Sequence, residues 1–305
     1  NVGLHGRDPN YTVRPGDLLN YAATYANNST VSMQSVTMTV KLVGDMFDAR
    51  SLSTNGFFNS LTNTITWSAA NTPELANLSP GQSGTVRFTI PARDNFPIRL
   101  LSDKNFTLKV DASIQSPTVP PGTTAEKTIS VASAENKVAG KLAVSAEAYW
   151  RDAASGILNQ GPYPPRVNQP TQYTLHWKLV NYSTDISSIA VSAFLQSGAR
   201  FTGVVKSNID SAPEHNPDSG LITWNINSLP ATKGVISQPA ETVFQIEVVP
   251  AVNQIGKYVP LLSETKAEAA DNFTGELLLS SSPPLDTGLQ HDRTVAGIGD
   301  RTVKQ

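Results

Sequence analysis

The side chains best suited to acid–base or metal chemistry are four histidines: His5, His176, His215 and His291. A catalytic or metal site needs such groups clustered with carboxylates at characteristic spacings. No two of them have a ligand spacing such as HxxxH, and neither a GxSxG nor an SxxK motif is present. His176 lies between Thr174 and Lys178, on the outward face of an alternating segment. The sequence therefore predicts isolated surface histidines, with no catalytic and no metal-binding residues.

Oxygen-rich loops at the ends of a β-sandwich are a second candidate site, because carboxylates there could bind calcium. The candidate ligands are Asp45, Asp48, Asp94, Asp103, Asp218 and Asp271. None of them lies in a DxDxDG-like register, and aspartate is common in ordinary turns. We therefore expect no cofactor, and a structural calcium ion stays the less favoured alternative.

Two kinds of aromatic position stand out. Trp67 and Trp224 end similar Ile-Thr-Trp segments, which favours a role as core anchors over a sugar-stacking platform. Tyr149 and Trp150 close a strand near the proline-rich segment that contains Tyr163. An aromatic group beside prolines is typical of a contact surface, so these three residues form the candidate contact patch.

Asparagine-linked glycosylation is another candidate modification, because several N-x-S/T sequons occur. A chain this rich in Asn, Ser and Thr also produces such sequons by chance. The better acceptors are Asn28, Asn105, Asn181 and Asn272.

Composition narrows the function classes further. The 305 residues include 23 Lys+Arg and 25 Asp+Glu, a net charge of −2, which gives no electrostatic footprint for nucleic acid. Cysteine is absent, which excludes disulfides, thiolate metal sites and cysteine nucleophiles. No apolar run approaches the ~20 residues of a membrane span. Ser and Thr make up about a fifth of the chain and would form weakly charged outer faces.

The elements that must position these residues are strands. Apolar and polar residues alternate over 17–27 and 36–42, and shorter runs follow at 62–67, 84–90, 104–112 and 125–132. A period of two predicts half-buried strands, and turn-forming residues separate them. Strands at short spacing, without helical periodicity, predict an all-β fold of immunoglobulin-like β-sandwiches.

The second half of the chain repeats this pattern. At an offset of 154 residues, the apolar face of 19–25 falls on 173–179, and Asn27 falls on Asn181. We therefore predict two tandem sandwiches, at 1–135 and 136–282, joined through the polar stretch 134–137. Residues 283–305 lose periodicity and are predicted to be a C-terminal tail or linker.

The ordered motifs resemble a known surface repeat. An Asn-rich turn at 27–29 precedes the Ile-Thr-Trp strand, and a Leu-Ser-Pro-Gly-Gln turn follows at 78–82. This order resembles the bacterial and archaeal repeat called domain of unknown function eleven, and it is similar to the bacterial cell-adhesion-related domain. The second half departs from the pattern at Ser228–Thr232. The resemblance implies an exported protein in stalks, surface layers, adhesins or filaments, with no catalytic residues.

These observations favour a non-enzymatic structural or assembly module of an exported cell-surface protein. The alternative is an adhesin or carbohydrate-binding module that uses loops or the aromatic patch. The expected partners are other protein subunits, including a homo-oligomer through the terminal segments 1–12 and 283–305 or through edge strands. Neither nucleic acid nor a direct membrane span is expected. The tail 285–305 is expected to contact a neighbouring subunit or the sandwich itself.

Overall fold

The computed structural model describes residues 1–4, 10–122 and 124–305, and within them the chain is built of strands joined by turns and four short 3-10 helices. It divides into two compact units. The first comprises residues 1–97 and 105–139, and the second comprises 98–104 and 140–305. No helix among the described residues is both long enough and apolar enough to cross a membrane.

The first unit is a β-sandwich. Its strands are β1 (Val2–Leu4), β2 (Leu18–Ala26), β3 (Met33–Gln34), β4 (Thr37–Val43), β5 (Ser53–Thr54), β6 (Phe57–Asn59), β7 (Thr64–Trp67), β8 (Asn77–Leu78), β9 (Ser83–Pro91), β10 (Thr107–Ser116) and β11 (Thr128–Lys137). The 3-10 helices Ala49–Ser51 and Pro73–Ala76 lie between strands. One sheet has the order β1-β2-β9-β5 and the other β11-β10-β4-β7-β6, while β3 and β8 form a small separate pair.

The alternating side chains of the first unit explain its core. In β2 every second residue is buried, and Tyr21 stacks on Phe88 of β9 with ring centroids 5.0 Å apart. Trp67 is fully buried, and its indole N–H donates to Asn55 Oδ1 at 2.9 Å. This satisfied donor lets a large side chain fill the space between the sheets.

The second unit is also a β-sandwich. Its strands are β12 (Leu142–Tyr149), β13 (Thr171–Asn181), β14 (Ile186–Phe194), β15 (Ala199–Ser207), β16 (Glu214–His215), β17 (Leu221–Leu229), β18 (Ala240–Val248), β19 (Pro260–Leu262), β20 (Thr265–Asp271), β21 (Leu277–Ser282) and β22 (Leu285–Asp286). The 3-10 helices are Val252–Gln254 and Arg293–Val295. Its sheets have the orders β12-β13-β18-β15 and β21-β20-β14-β17-β16, with β19 and β22 as a separate pair.

The two units share one strand order, because each has a four-stranded and a five-stranded sheet with corresponding neighbours. The predicted fold class, all-β with two tandem immunoglobulin-like β-sandwiches, is confirmed. Trp224 of β17 is fully buried like Trp67 of β7, so the core-anchor interpretation of both tryptophans is confirmed as well. Trp177 of β13 adds a third fully buried indole.

Two predictions about segment ends were wrong. The polar stretch 134–137 is the second half of β11 rather than a linker, because its residues pair with β10 from Thr107 to Val110. Residues 283–305 do not leave the second sandwich as a linker. Leu289, Val295 and Val303 are buried in its core, which confirms the expected contact between the tail and the sandwich itself.

The terminal segments are consequently occupied within their own sandwiches. In the N-terminal segment, β1 pairs with β2 from Val2 opposite Ala23 to Leu4 opposite Tyr21. The rest of the predicted donor segment 1–12 includes residues 5–9, which lie outside the described part of the chain. The described ends therefore complete this chain's own sheets and core, which corrects their assignment as segments for pairing with a neighbour.

Candidate functional site

The densest group of titratable side chains lies on the outer face of the sheet β12-β13-β18-β15. Residues 150–161 fold over this face, held by Asn159, whose Nδ2 donates to Thr174 Oγ1 at 2.6 Å and to the Trp150 carbonyl at 3.1 Å. Gln245 of β18 donates to Asn159 Oδ1 at 2.9 Å. The cover buries Thr174 and His176, side chains that the alternating pattern alone would place in solvent.

His176 lies between two carboxylates beneath this cover. Its Nε2 is 2.7 Å from Asp152 Oδ2, and its Nδ1 is 2.7 Å from Glu241 Oε1. The side chains of His176 and Asp152 are 7% and 4% exposed, whereas that of Glu241 is 29% exposed. A protonated imidazole donates to both carboxylates, whereas either neutral tautomer turns a lone pair toward one of them.

The network continues from Glu241 through Lys178. Lys178 Nζ is 3.8 Å from Glu241 Oε1 and 2.8 Å from Glu147 Oε2, which also accepts the hydroxyl of Tyr149 at 2.8 Å. Burial acts to raise the pKa of Glu147, but the hydrogen bonds from Lys178 and Tyr149 outweigh it and hold that pKa below its usual range. Burial and the neighbouring Glu147 raise the pKa of the Tyr149 hydroxyl above its usual range.

This geometry supports cross-linking of the cover to the sheet rather than catalysis. Both ring nitrogens of His176 are engaged by carboxylates, which leaves neither lone pair nor proton directed at a substrate. On the cover, the hydroxyl of Ser155 donates to the carbonyl of Asp152 at 3.3 Å rather than to the imidazole. Among the described residues, no group of three or more His, Asp or Glu side chains is arranged to hold a metal ion.

The predicted isolated surface histidines are only partly observed. His291 is exposed, and the half-buried His215 stacks on Phe201 with centroids 5.3 Å apart. His176 contradicts the prediction, because the strand face was correctly assigned but residues 150–161 cover it. His5 lies outside the described residues.

The structure separates the three residues of the candidate contact patch. The rings of Trp150 and Tyr163 pack at a 30° tilt with centroids 5.4 Å apart, and Arg151 lies over the Trp150 ring at 4.2 Å. The Tyr163 hydroxyl donates to the carbonyl of Thr287 at 2.9 Å, so this pair packs on the C-terminal segment. Tyr149 instead contacts the His176 ring at 5.1 Å. The three therefore do not form one continuous aromatic surface.

The glycosylation candidates also differ in environment. Asn28, Asn105 and Asn272 are exposed, and all three remain candidates. Asn181 is fully buried, and its Nδ2 donates to the carbonyls of Thr184 and Pro230 at 2.7 and 2.9 Å. In the folded chain the Asn181 side chain therefore holds its turn together through these hydrogen bonds, which corrects its assignment as a glycosylation site.

Three of the aspartates considered for calcium accept hydrogen bonds from within the chain. Asp48 accepts the hydroxyl of Ser51 at 2.8 Å, and Asp271 accepts the amides of Gly140 and Phe273 at 2.8 and 2.9 Å. The amides of Arg99 and Leu100 bond to Asp103 and hold the pKa of its carboxyl below the usual range. These three carboxylates therefore have structural hydrogen-bonding roles in the folded chain.

The strand edges present a different kind of candidate site. β11 and β21 end the five-stranded sheets of their units, so among the described residues each has one strand neighbour in its sheet. At its C-terminal end β11 also meets the segment before β2, where the Lys137 carbonyl accepts the amide of Val13 at 2.9 Å and Asn136 Nδ2 donates to the Tyr11 carbonyl at 3.0 Å. On β11, Ile129 and Val131 are 50% and 75% exposed, and on β21, Leu277 and Leu279 are 60% and 70% exposed. Because each pair is two residues apart, both of its side chains project from the outer face of their sheet. Alternation in β11 and β21 did not reveal this exposure, because it does not show which strand ends a sheet.

No family model matches the chain, and no curated protein matches its sequence. The resemblance to the domain of unknown function eleven therefore rests on the quoted motifs alone and remains an interpretation. Several solved structures are similar in strand arrangement at low sequence identity.

One is the C-terminal domain of the antigen I/II-family protein AspA of Streptococcus pyogenes, at 13% identity and TM-score 0.34, covering 90% of this chain and 94% of that one. The full-length major pilin SpaD of Corynebacterium diphtheriae has 12% identity and TM-score 0.30, covering 92% and 67%. A variant of BcpA, the major pilin subunit of Bacillus cereus, has 10% identity and TM-score 0.33, covering 87% and 68%. Each TM-score is below 0.5, so these likenesses carry no argument about function.

Proposed function

We propose that this chain is a non-enzymatic structural or assembly module of an exported cell-surface protein, in a surface layer, stalk or extracellular filament. The observation that carries the proposal is the pair of edge strands β11 and β21, each of which has one strand neighbour among the described residues and two exposed aliphatic side chains on the outer face. Unpaired edges with apolar side chains are templates for pairing with another chain, and monomeric proteins usually blunt them. Other protein subunits are the proposed partners.

The buried titratable cluster supports this proposal over an enzymatic one. Both ring nitrogens of its histidine are hydrogen-bonded, one to Asp152 and one to Glu241, and the covering segment lies directly on the sheet. Such a network fixes a loop to a sheet, which is useful in a module that must keep its shape under load.

The alternative role, an adhesin or carbohydrate-binding module, gains little from the aromatic residues. A sugar-stacking platform needs an open aromatic face. At Trp150 the ring neighbours Tyr163 and lies beneath the guanidinium of Arg151 at 4.2 Å. No other observation among the described residues favours this alternative.

Surface labelling of the source cells tests the proposal. Antibodies raised against the folded chain should label intact cells or their extracellular assemblies, and brief protease treatment of intact cells should remove the signal. A cytosolic marker protein that survives the same treatment serves as the control for cell integrity. Recovery of the chain only after lysis, with the protease-resistant cytosolic fraction, would overturn the proposal.

A further inference from the structure

The edge strand β11 combines length, exposure and an ordered set of side chains. Five alternate residues face outward on it or directly before it, and all are exposed: Lys127, Ile129, Val131, Ser133 and Glu135. Val131 lies at the centre of this row, with one charged residue of each sign four positions away on either side. If two copies of this row run in opposite directions with their Val131 residues aligned, the lysine of each copy faces the glutamate of the other.

We propose that β11 pairs antiparallel with β11 of a second copy of this chain, about a two-fold axis through Val131. This deepens the proposed assembly function by naming the partner and the register. Residues opposite each other then have numbers that sum to 262. Val131 meets Val131 of the second copy, Ile129 meets Ser133, and Lys127 meets Glu135 twice. Facing side chains in antiparallel strands lie close enough for these apolar and ionic contacts.

Charge selects this register over its neighbours. Moving the axis to Ala132 places Lys127 opposite Lys137, which is repulsive. An axis at Ser130 places Lys127 opposite Ser133 and leaves Glu135 opposite Ala125, so both charges lose their partners. Only the axis at Val131 pairs both charges and joins the exposed valines.

The inward row of β11 permits a continuous sheet. Its central residues Ser130, Ala132 and Ala134 are small, and Ala132 and Ala134 pack on the core of their own unit. In the proposed register Ser130 faces Ala132 of the second copy, so no bulky or charged side chain is forced between the strands. A single strand pair is smaller than a typical ~1,600 Å² interface, so we expect a weak dimer that forms at high protein concentration.

Cysteine cross-linking tests the axis directly, because the chain contains no cysteine. In V131C the two introduced thiols lie opposite each other, at a Cα separation within the range that a disulfide spans. In the matched control I129C, the two copies of residue 129 are four positions apart along the strands, about 13 Å at a rise of ~3.3 Å per residue. Mild oxidation of concentrated protein should produce a disulfide dimer of V131C and much less of I129C.

Charge reversal tests the register independently. Sedimentation velocity should show that K127E and E135K each raise the dimer dissociation constant about tenfold, because two like-charge contacts replace two attractive ones. The double variant K127E/E135K should restore the wild-type constant. Both positions are exposed, and circular dichroism of each variant checks that folding is intact.

Three outcomes would overturn the inference: a wild-type chain that stays monomeric at millimolar concentration, equal cross-linking of I129C and V131C, or a double variant that is not rescued. Cross-linking of L279C without V131C would assign the contact to β21 instead, which also overturns it. These results are separable from the proposed function, because surface labelling of cells does not depend on how β11 pairs.

Discussion

The histidine beneath the cover provides the sharpest test of how the second sandwich is stabilised. Replacing His176 with Phe keeps a planar ring of similar volume but removes both ring nitrogens that contact Asp152 and Glu241. Asp152 is 4% exposed and loses the ring nitrogen that it contacts, whereas Glu241 is 29% exposed and keeps Lys178 within 3.8 Å. The cost should therefore come mainly from Asp152.

Leaving a buried carboxylate without its hydrogen-bonded partner costs about 3–5 kcal/mol. Since Asp152 still receives an amide hydrogen bond from Ser155 at 3.3 Å, we expect the lower end of this range, about 3 kcal/mol for H176F. For a domain of this size, such a loss lowers the melting temperature by roughly 6–12 °C.

Differential scanning calorimetry of the full chain, with tryptophan fluorescence alongside, measures this effect. Trp150, Trp177 and Trp224 lie in the second unit and Trp67 in the first, so fluorescence reports chiefly on the affected sandwich. A transition of the first unit that does not move is the internal control.

The matched substitution is His215→Phe, at a half-buried ring that stacks on Phe201 and has no ion pair among the described residues. It should change stability by less than about 1 kcal/mol. In the double variant D152N/H176F the two losses should be less than additive, because both remove the same contact. An H176F cost no greater than that of H215F would refute the reasoning.

Three further substitutions probe other features of the second unit. Burial acts to raise the pKa of Asp152, but hydrogen bonds from Ser155 and His176 hold that pKa below the usual range. The ionised carboxylate therefore contributes fully to folding stability above the ordinary carboxylate pKa, and this stability is lost as the pH falls through the pKa of Asp152 in the folded chain. Acid melts of D152N should lose less stability over that window than those of the wild type. N181A should cost about 2 kcal/mol in chemical denaturation, since it removes two buried hydrogen bonds, whereas N28A at an exposed sequon should be neutral. V303D should lower the second thermal transition because it places a charge in the core, and an unchanged transition would contradict docking of the C-terminal segment.

The strands and the core could be predicted from the sequence because alternation is a local property. Tyr21 and Leu19 of β2, or Leu175 and Trp177 of β13, show their burial in the spacing of their neighbours. The clamp at Asn181 was harder to recognise, since its sequon indicates modification as readily as a buried turn. Only the hydrogen bonds to Thr184 and Pro230 decide between these roles.

The buried cluster could not be predicted, because its members are distant in the chain. Asp152 lies 24 positions from His176, and Glu241 lies 65 positions from it on another strand. The segment that brings Asp152 over the sheet has no apolar periodicity and is fixed by hydrogen bonds such as those of Asn159. The docked C-terminal segment was missed for a similar reason, since Leu289, Val295 and Val303 follow no regular spacing.

The edge strands β11 and β21 correspond in topology but differ in chemistry, and that difference decides which of them is suited to self-pairing. On β21 the inward serines Ser280 and Ser282 accept the amides of Val144 and Ala146 of β12, each at 3.0 Å. These bonds tie the six-residue β21 to the opposite sheet and satisfy edge donors of β12. β11 has ten residues, and its outward row carries a lysine and a glutamate placed symmetrically about Val131. Exposed aliphatic residues alone would allow both edge strands to associate with another chain. Of the two, only β11 also has charges that specify one partner orientation and disfavour the neighbouring registers.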